Sequence, residues 1–214
     1  MFNLDPATLI SRLIILVIAF TIHEFAHAWT ATMFGDDTPR LNGRLTLNPI
    51  SHLDPLGSLL LLVAGFGWAK PVPINPYALQ RRSSAAVMWV SLAGPLSNLL
   101  MAIAGAIPFR LGLVPLMPGF GGGILPTPSQ FLYEFIFINL LLMLFNLIPL
   151  APLDGEKVFA YFLPRNWVRV MEQIQPYGPV ILMALLFVGP FFHLDILGWI
   201  IGPPMQALFN LLVG

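Results

Sequence analysis

His23-Glu24-Phe25-Ala26-His27 sets two imidazoles four residues apart with a carboxylate between them. On an α-helix that spacing turns both rings to one face, roughly 40° and 6 Å apart, where they can grip a single ion. Glu24 lies on the same side, placed to take a proton from water activated by the ion, as in zinc hydrolases. The pentapeptide sits inside an apolar stretch, about Thr8 to Phe34, long enough to cross a bilayer. Charged groups at that depth cost roughly 2.5 kcal/mol or more each, so a bound cation is the expected compensation. The alternative is two buried histidines and a glutamate satisfied by neighbouring helices.

Zinc hydrolases use three protein ligands and keep a fourth position for water, so a third ligand must come from elsewhere in the chain. Cysteine is absent, which leaves His, Asp and Glu. The candidates are Asp154, His52, Asp54 and Glu134. Asp154 follows directly on a broken apolar span, but Asp is also a common cap for a helix such as one starting at Gly155. His52 is a candidate ligand, a group orienting a ligand from behind, or an interfacial histidine. His193 falls on the opposite side and reads as a surface residue.

The elements that must position these groups are membrane elements. Of the 214 residues, 57% are hydrophobic and 9% are charged, too few charges to cover a soluble domain. Ten basic residues balance ten acidic ones, which gives no reason to expect a nucleic-acid partner. The expected fold is an all-α polytopic membrane protein of five or six transmembrane helices with a short membrane-associated β-loop between the first and second full spans. Full spans are expected over about Thr8 to Phe34, Ser83 to Ile107 and Ser129 to Ile148, with a closing hairpin from about Tyr177 to Phe192 and Asp195 to Val213.

Leu56 to Phe66 is apolar but too short, so it reads as re-entrant or interfacial, and Lys157 to Gln173 reads as an interfacial helix. Alternation around Leu41, Leu45 and Leu47 and the extended Trp68-to-Ile74 piece could pair as strands. Residues 1–214 are read as one membrane-embedded domain, with a core at about 8–165 and a C-terminal hairpin at about 177–213. No removable signal peptide is expected, because the first apolar segment carries the chemistry.

Arg40, Arg44, Lys70, Arg81, Arg82, Lys157, Arg165 and Arg169 fall on one side of these spans, with only Arg12 and Arg110 on the other. The positive-inside rule makes the first side cytoplasmic. The amino terminus then lies outside, and His23 to His27 and Asp154 sit toward the cytoplasmic half of what is read as a prokaryotic cell membrane. Gly94-Pro95-Leu96-Ser97-Asn98, in the middle of the second span, reads as close helix packing with Asn98 bonded across helices. Asn139 and Asn146 in the third span read the same way.

Taken together these motifs resemble the site-2 protease family of intramembrane zinc metalloproteases. The resemblance rests on His23-Glu24-Phe25-Ala26-His27, Asn48-Pro49 with His52, Asp54-Pro55-Leu56-Gly57, Gly67-Trp68-Ala69-Lys70-Pro71-Val72-Pro73-Ile74-Asn75, Gly94-Pro95 with Asn98, and Leu153-Asp154-Gly155. It covers roughly residues 10 to 165. It implies that His23, His27 and Asp154 bind one zinc ion, that Glu24 is the catalytic base, and that Asn98 helps hold substrate near the metal. It further implies that residues around 41 to 50 and 68 to 75 form a β-loop presenting substrate as a strand. Where the family often has Asn-Pro before Asp-Gly, this chain has Ala151-Pro152-Leu153.

The expected activity is hydrolysis of a peptide bond within or near the transmembrane segment of a membrane-protein substrate, with the lipid bilayer as the other partner. A zinc protease that trims prenylated tails is a competing enzyme class, but its third ligand is generally a downstream Glu, and Glu134 and Glu156 are poorly placed for that role. A membrane metal carrier would spread polar groups through the membrane depth, whereas here they gather at one level. A non-proteolytic membrane scaffold is the third alternative.

Overall fold

A computed structural model describes residues 5–55, 57, 67–116, 124–192 and 194–214. The expected re-entrant stretch from Leu56 to Phe66 lies outside these apart from Gly57, as does His193.

A capping side chain followed by proline opens one element after another. Asp5 accepts from the Thr8 amide at 3.0 Å and the Thr8 hydroxyl at 2.7 Å, and Pro6 begins α1 (Pro6–Met33). Those two bonds hold the Asp5 carboxyl below the usual carboxylate range. Asn75 caps α3 (Pro76–Arg82), which follows the short α2 (Thr38–Leu41), and Thr127 caps α5 (Pro128–Asn146). In each, proline fills the position whose N–H would lack a helical partner. Between them runs α4 (Ala86–Arg110), with Pro95 and Pro108 inside it. The short α6 (Asp154–Phe162) precedes α7 (Arg165–Val188), and α8 (Ile196–Val213) closes the chain.

Among the described residues five helices are long and apolar enough to cross a membrane: α1, α4, α5, α7 and α8. The protein is an integral membrane protein. Exposed Leu100, Val180, Trp199 and Leu211 make the outward faces apolar, as lipid requires. Inside, small residues bring helices together: Ala102 and Ala106 of α4 are buried against Ile136 and Leu140 of α5, with Leu153 and Ile201 in the same cluster. The Thr21 hydroxyl, buried in α1, is satisfied within the helix, donating to the Val17 carbonyl at 2.6 Å.

Two expectations change. The interfacial helix and the fourth span are not separate: the chain breaks at Leu163-Pro164, because proline cannot continue α6, and then runs as one rod from Arg165 to Val188. That rod tightens to a 3-10 turn at Gln175–Tyr177 and widens to a π turn at Ala184–Val188. Nor do residues 41–50 and 68–75 pair as strands. Among the described residues the backbone pairing here is a single bridge, Leu53 to Ala69, beside a Lys70 N–H to His52 carbonyl bond of 2.8 Å, both just outside 41–50. Pro49, Pro71 and Pro73 have no N–H to give a ladder, and the Lys70 and Pro71 carbonyls are taken by the Arg44 side chain.

Candidate metal centre

His23 and His27 face α4 from two turns of α1, and α4 answers with one stripe of its own. The His27 Nδ1–H donates to the Val90 carbonyl at 2.6 Å, and the His23 Nδ1–H donates to Asn98 Oδ1 at 2.6 Å. Each acceptor fixes the proton on Nδ1, which leaves both Nε2 lone pairs free. The rings stand at 80° to one another and bring those Nε2 atoms to 3.0 Å. Two lone pairs that close repel unless a cation lies between them.

Gly94, halfway between Val90 and Asn98, makes the approach possible. A methyl there would overlap the Nε2 atoms of both histidines. Pro95 next to it removes the N–H that would bond the Ser91 carbonyl and loosens the same turn. Ser97 is turned back onto its own helix, its hydroxyl donating to the Gly94 carbonyl at 2.7 Å.

Asp154 completes the triangle from 131 positions away in sequence, its Oδ2 lying 3.2 Å from His23 Nε2 and 3.3 Å from His27 Nε2. It stands at the first position of α6, and the capping position belongs to Leu153, so the carboxylate is free to point across. Gly155 lets the turn close: a Cβ there would run into the carbonyls of Leu147 and Ile148 at the end of α5. A metal with ligands at about 2.0 to 2.1 Å in a tetrahedron separates them by about 3.3 Å. The observed edges of 3.0, 3.2 and 3.3 Å match three corners of that figure. Two imidazole nitrogens and one carboxylate oxygen form a donor set zinc accepts, and with one corner left it is the open kind.

The other proposed ligands are engaged elsewhere. Asp54 Oδ1 accepts from the Gly57 amide at 2.8 Å, and Glu134 pairs with Arg12 at 3.3 Å. His52 is fully buried, with its Nε2 on the Thr46 carbonyl at 2.7 Å, so it braces its own loop and is not brought to the cluster. Asn98 is fully buried and bonded on both sides of its amide. Its Oδ1 is on His23 and its Nδ2 donates to Asn139 Oδ1 at 3.0 Å, while Asn139 Nδ2 donates to the Phe135 carbonyl at 2.8 Å. Asn139, bonded across helices as its place in an apolar span suggests, thus extends a three-helix relay behind His23. Asn98→Ala is expected to weaken divalent-metal affinity 10- to 100-fold, as losses of such supporting partners do, measurable by competition with a chelating dye.

Glu24 stands apart from the triangle. It is 8% exposed, and its Oε2 accepts from the Val72 amide at 3.1 Å. The cluster opens on a cavity of about 580 Å³ whose lining includes His23, Glu24, His27 and Asp154 with apolar Phe20, Leu142 and Leu182. Asn146 also lines it, its amide nitrogen bonded back to the Leu142 carbonyl at 3.0 Å and not across helices.

Comparison with known proteins points the same way. The chain is 45% identical over 190 residues to the candidate zinc metalloprotease YwhC of Bacillus subtilis, which covers 86% of this chain and 84% of that one. It is 30% identical over 189 residues to Rip2 of Mycobacterium tuberculosis, a candidate zinc metalloprotease of which it covers 68%. To the Mycolicibacterium smegmatis Rip2 it is 32% identical over 176 residues, spanning 64% of that relative. No family model matches the chain, and no solved structure matches it. Likeness of this extent, on top of the motifs, makes the chain a member of the site-2 protease-like zinc metalloprotease family to which YwhC and Rip2 belong.

Proposed function

We propose that this protein is an intramembrane zinc endopeptidase that hydrolyses a peptide bond within or near a transmembrane segment of another membrane protein. The observation that carries the reading is the convergence of two imidazole lone pairs and a carboxylate on one point beside a cavity walled by membrane-crossing helices.

His23, His27 and Asp154 would hold one zinc ion per chain, which when bound serves as a Lewis acid toward water and the substrate carbonyl. Glu24 is the general base. With one oxygen tied to the Val72 amide, it offers the other to a proton from water and later returns that proton to the leaving amine. A peptide bond in a helix is shielded by its own hydrogen bonds, so the substrate must unwind to enter the cavity. Phe20, Leu142 and Leu182 exclude bulk water and take up its apolar side chains. Asn98 works through His23 and not on the substrate.

The side bearing Arg40, Arg44, Arg81, Arg82 and Lys157 is read as cytoplasmic, which puts cleavage toward that face. The whole chain acts as one membrane-embedded unit.

Metal analysis of purified wild type beside Asp154→Ala, with cleavage of a reconstituted transmembrane substrate, tests the proposal. Wild type is expected to carry one zinc and cleave, and Asp154→Ala to lose both. Equal zinc in the two proteins would exclude this site.

A further inference from the structure

We propose that Arg44 is a positioning residue for Glu24, acting through the backbone of residues 70–72. The inference rests on the reading of Glu24 as the base and adds what holds it in place.

The segment from Gly67 to Asn75 crosses above Glu24 in extended form, and a β-ladder does not hold it. Pro71 and Pro73 have no N–H, so Val72 supplies the one amide donor of residues 71–73, and that donor is on Glu24 Oε2 at 3.1 Å. The direction of this amide follows from the two carbonyls just before it. Both are held by Arg44, whose Nη2 donates to the Lys70 carbonyl at 2.5 Å and to the Pro71 carbonyl at 2.6 Å. Its Nη1 donates to the Ser51 carbonyl, tying the segment to the 3-10 turn Pro49–Ser51.

Three residues on, Asp36 Oδ2 accepts from the Asn75 amide at 2.6 Å, so the strap is fastened at both ends. Both fasteners are buried, Arg44 at 4% and Asp36 at 2% exposed. Both belong to the connection that leaves α1, the helix carrying Glu24. A buried guanidinium whose bonds go to three carbonyls is costly unless its geometry serves a purpose, and only a planar fork reaches several carbonyls at once.

The experiment compares Arg44→Lys, Val72→Pro and the double variant, in the full chain reconstituted in bilayers. Arg44→Lys keeps the charge and loses the fork; Val72→Pro removes the amide itself. Hydrogen exchange at Val72 in Arg44→Lys is expected to speed up at least about 10-fold, with zinc content and Asn75 protection unchanged. Unchanged Val72 exchange overturns the proposal whatever the activity. In turnover, each single variant is expected to lower kcat at least 10-fold with KM within about twofold, and the double variant to be no slower than Val72→Pro alone. Additive losses, or zinc loss in Arg44→Lys, would make Arg44 an ordinary structural brace and overturn the proposal. A wild type that never cleaves, with the exchange effect intact, would sink the proteolytic reading of the site and leave the strap standing.

Discussion

Glu24→Gln is expected to bind zinc as wild type does and to cleave at least about 100-fold more slowly, the lower range of what a positioned proton-transfer group contributes. The geometry separates the two properties. The donor triangle is made of His23, His27 and Asp154, and Glu24 is outside it. Its visible bond is to the Val72 amide, which a glutamine oxygen can still accept. The substitution therefore keeps the shape, the acceptor for Val72 and the metal ligands while removing the charge and with it the ability to take a proton. Metal analysis beside single-turnover cleavage makes the check. Undiminished turnover would remove Glu24 from the mechanism, and lost zinc would place it among the ligands.

Gly94→Ala is expected to abolish metal binding with a single methyl group. The added carbon would occupy space now held by both Nε2 atoms, so α1 and α4 must separate or the rings must rotate off their Val90 and Asn98 acceptors. Either response breaks the triangle. Gly202→Ala on α8 is the control, since a methyl there meets nothing within 4 Å. Helicity measured by circular dichroism should be the same in both, with zinc lost only from Gly94→Ala. Full zinc occupancy in Gly94→Ala would mean that the close approach of α4 is dispensable.

Features with a short period were legible in the sequence. The four-residue step of His23 and His27 and the long apolar runs of α1, α4 and α5 follow from helical geometry and bilayer thickness, and each appears in the fold. Asp154 stood out among four candidates by its place after a broken span and by the family resemblance, while the contact that brings it to the histidines is made by packing across the fold. The tie is a carboxylate 131 residues from His23, admitted by the close packing of Gly155. Backbone partners were invisible for a different reason. Val90 holds His27 with a carbonyl and Val72 holds Glu24 with an amide, and every residue type has those groups. The strand pairing was misjudged because alternation was weighed above the prolines that strip the segment of donors. An arginine side chain does much of the holding that a ladder would otherwise do.

Val90, Gly94 and Asn98 stand at successive four-residue steps on α4: Val90 holds His27, Asn98 holds His23, and Gly94 makes room for both rings. A slip of one residue between these helices swings such a stripe by about 100°. All three services would vanish at once, with no intermediate grade of support. With the proposed ion bound, occupancy would gauge how the two rods are registered inside the lipid: a population that keeps its helices but loses their alignment would come away empty, not merely weakened.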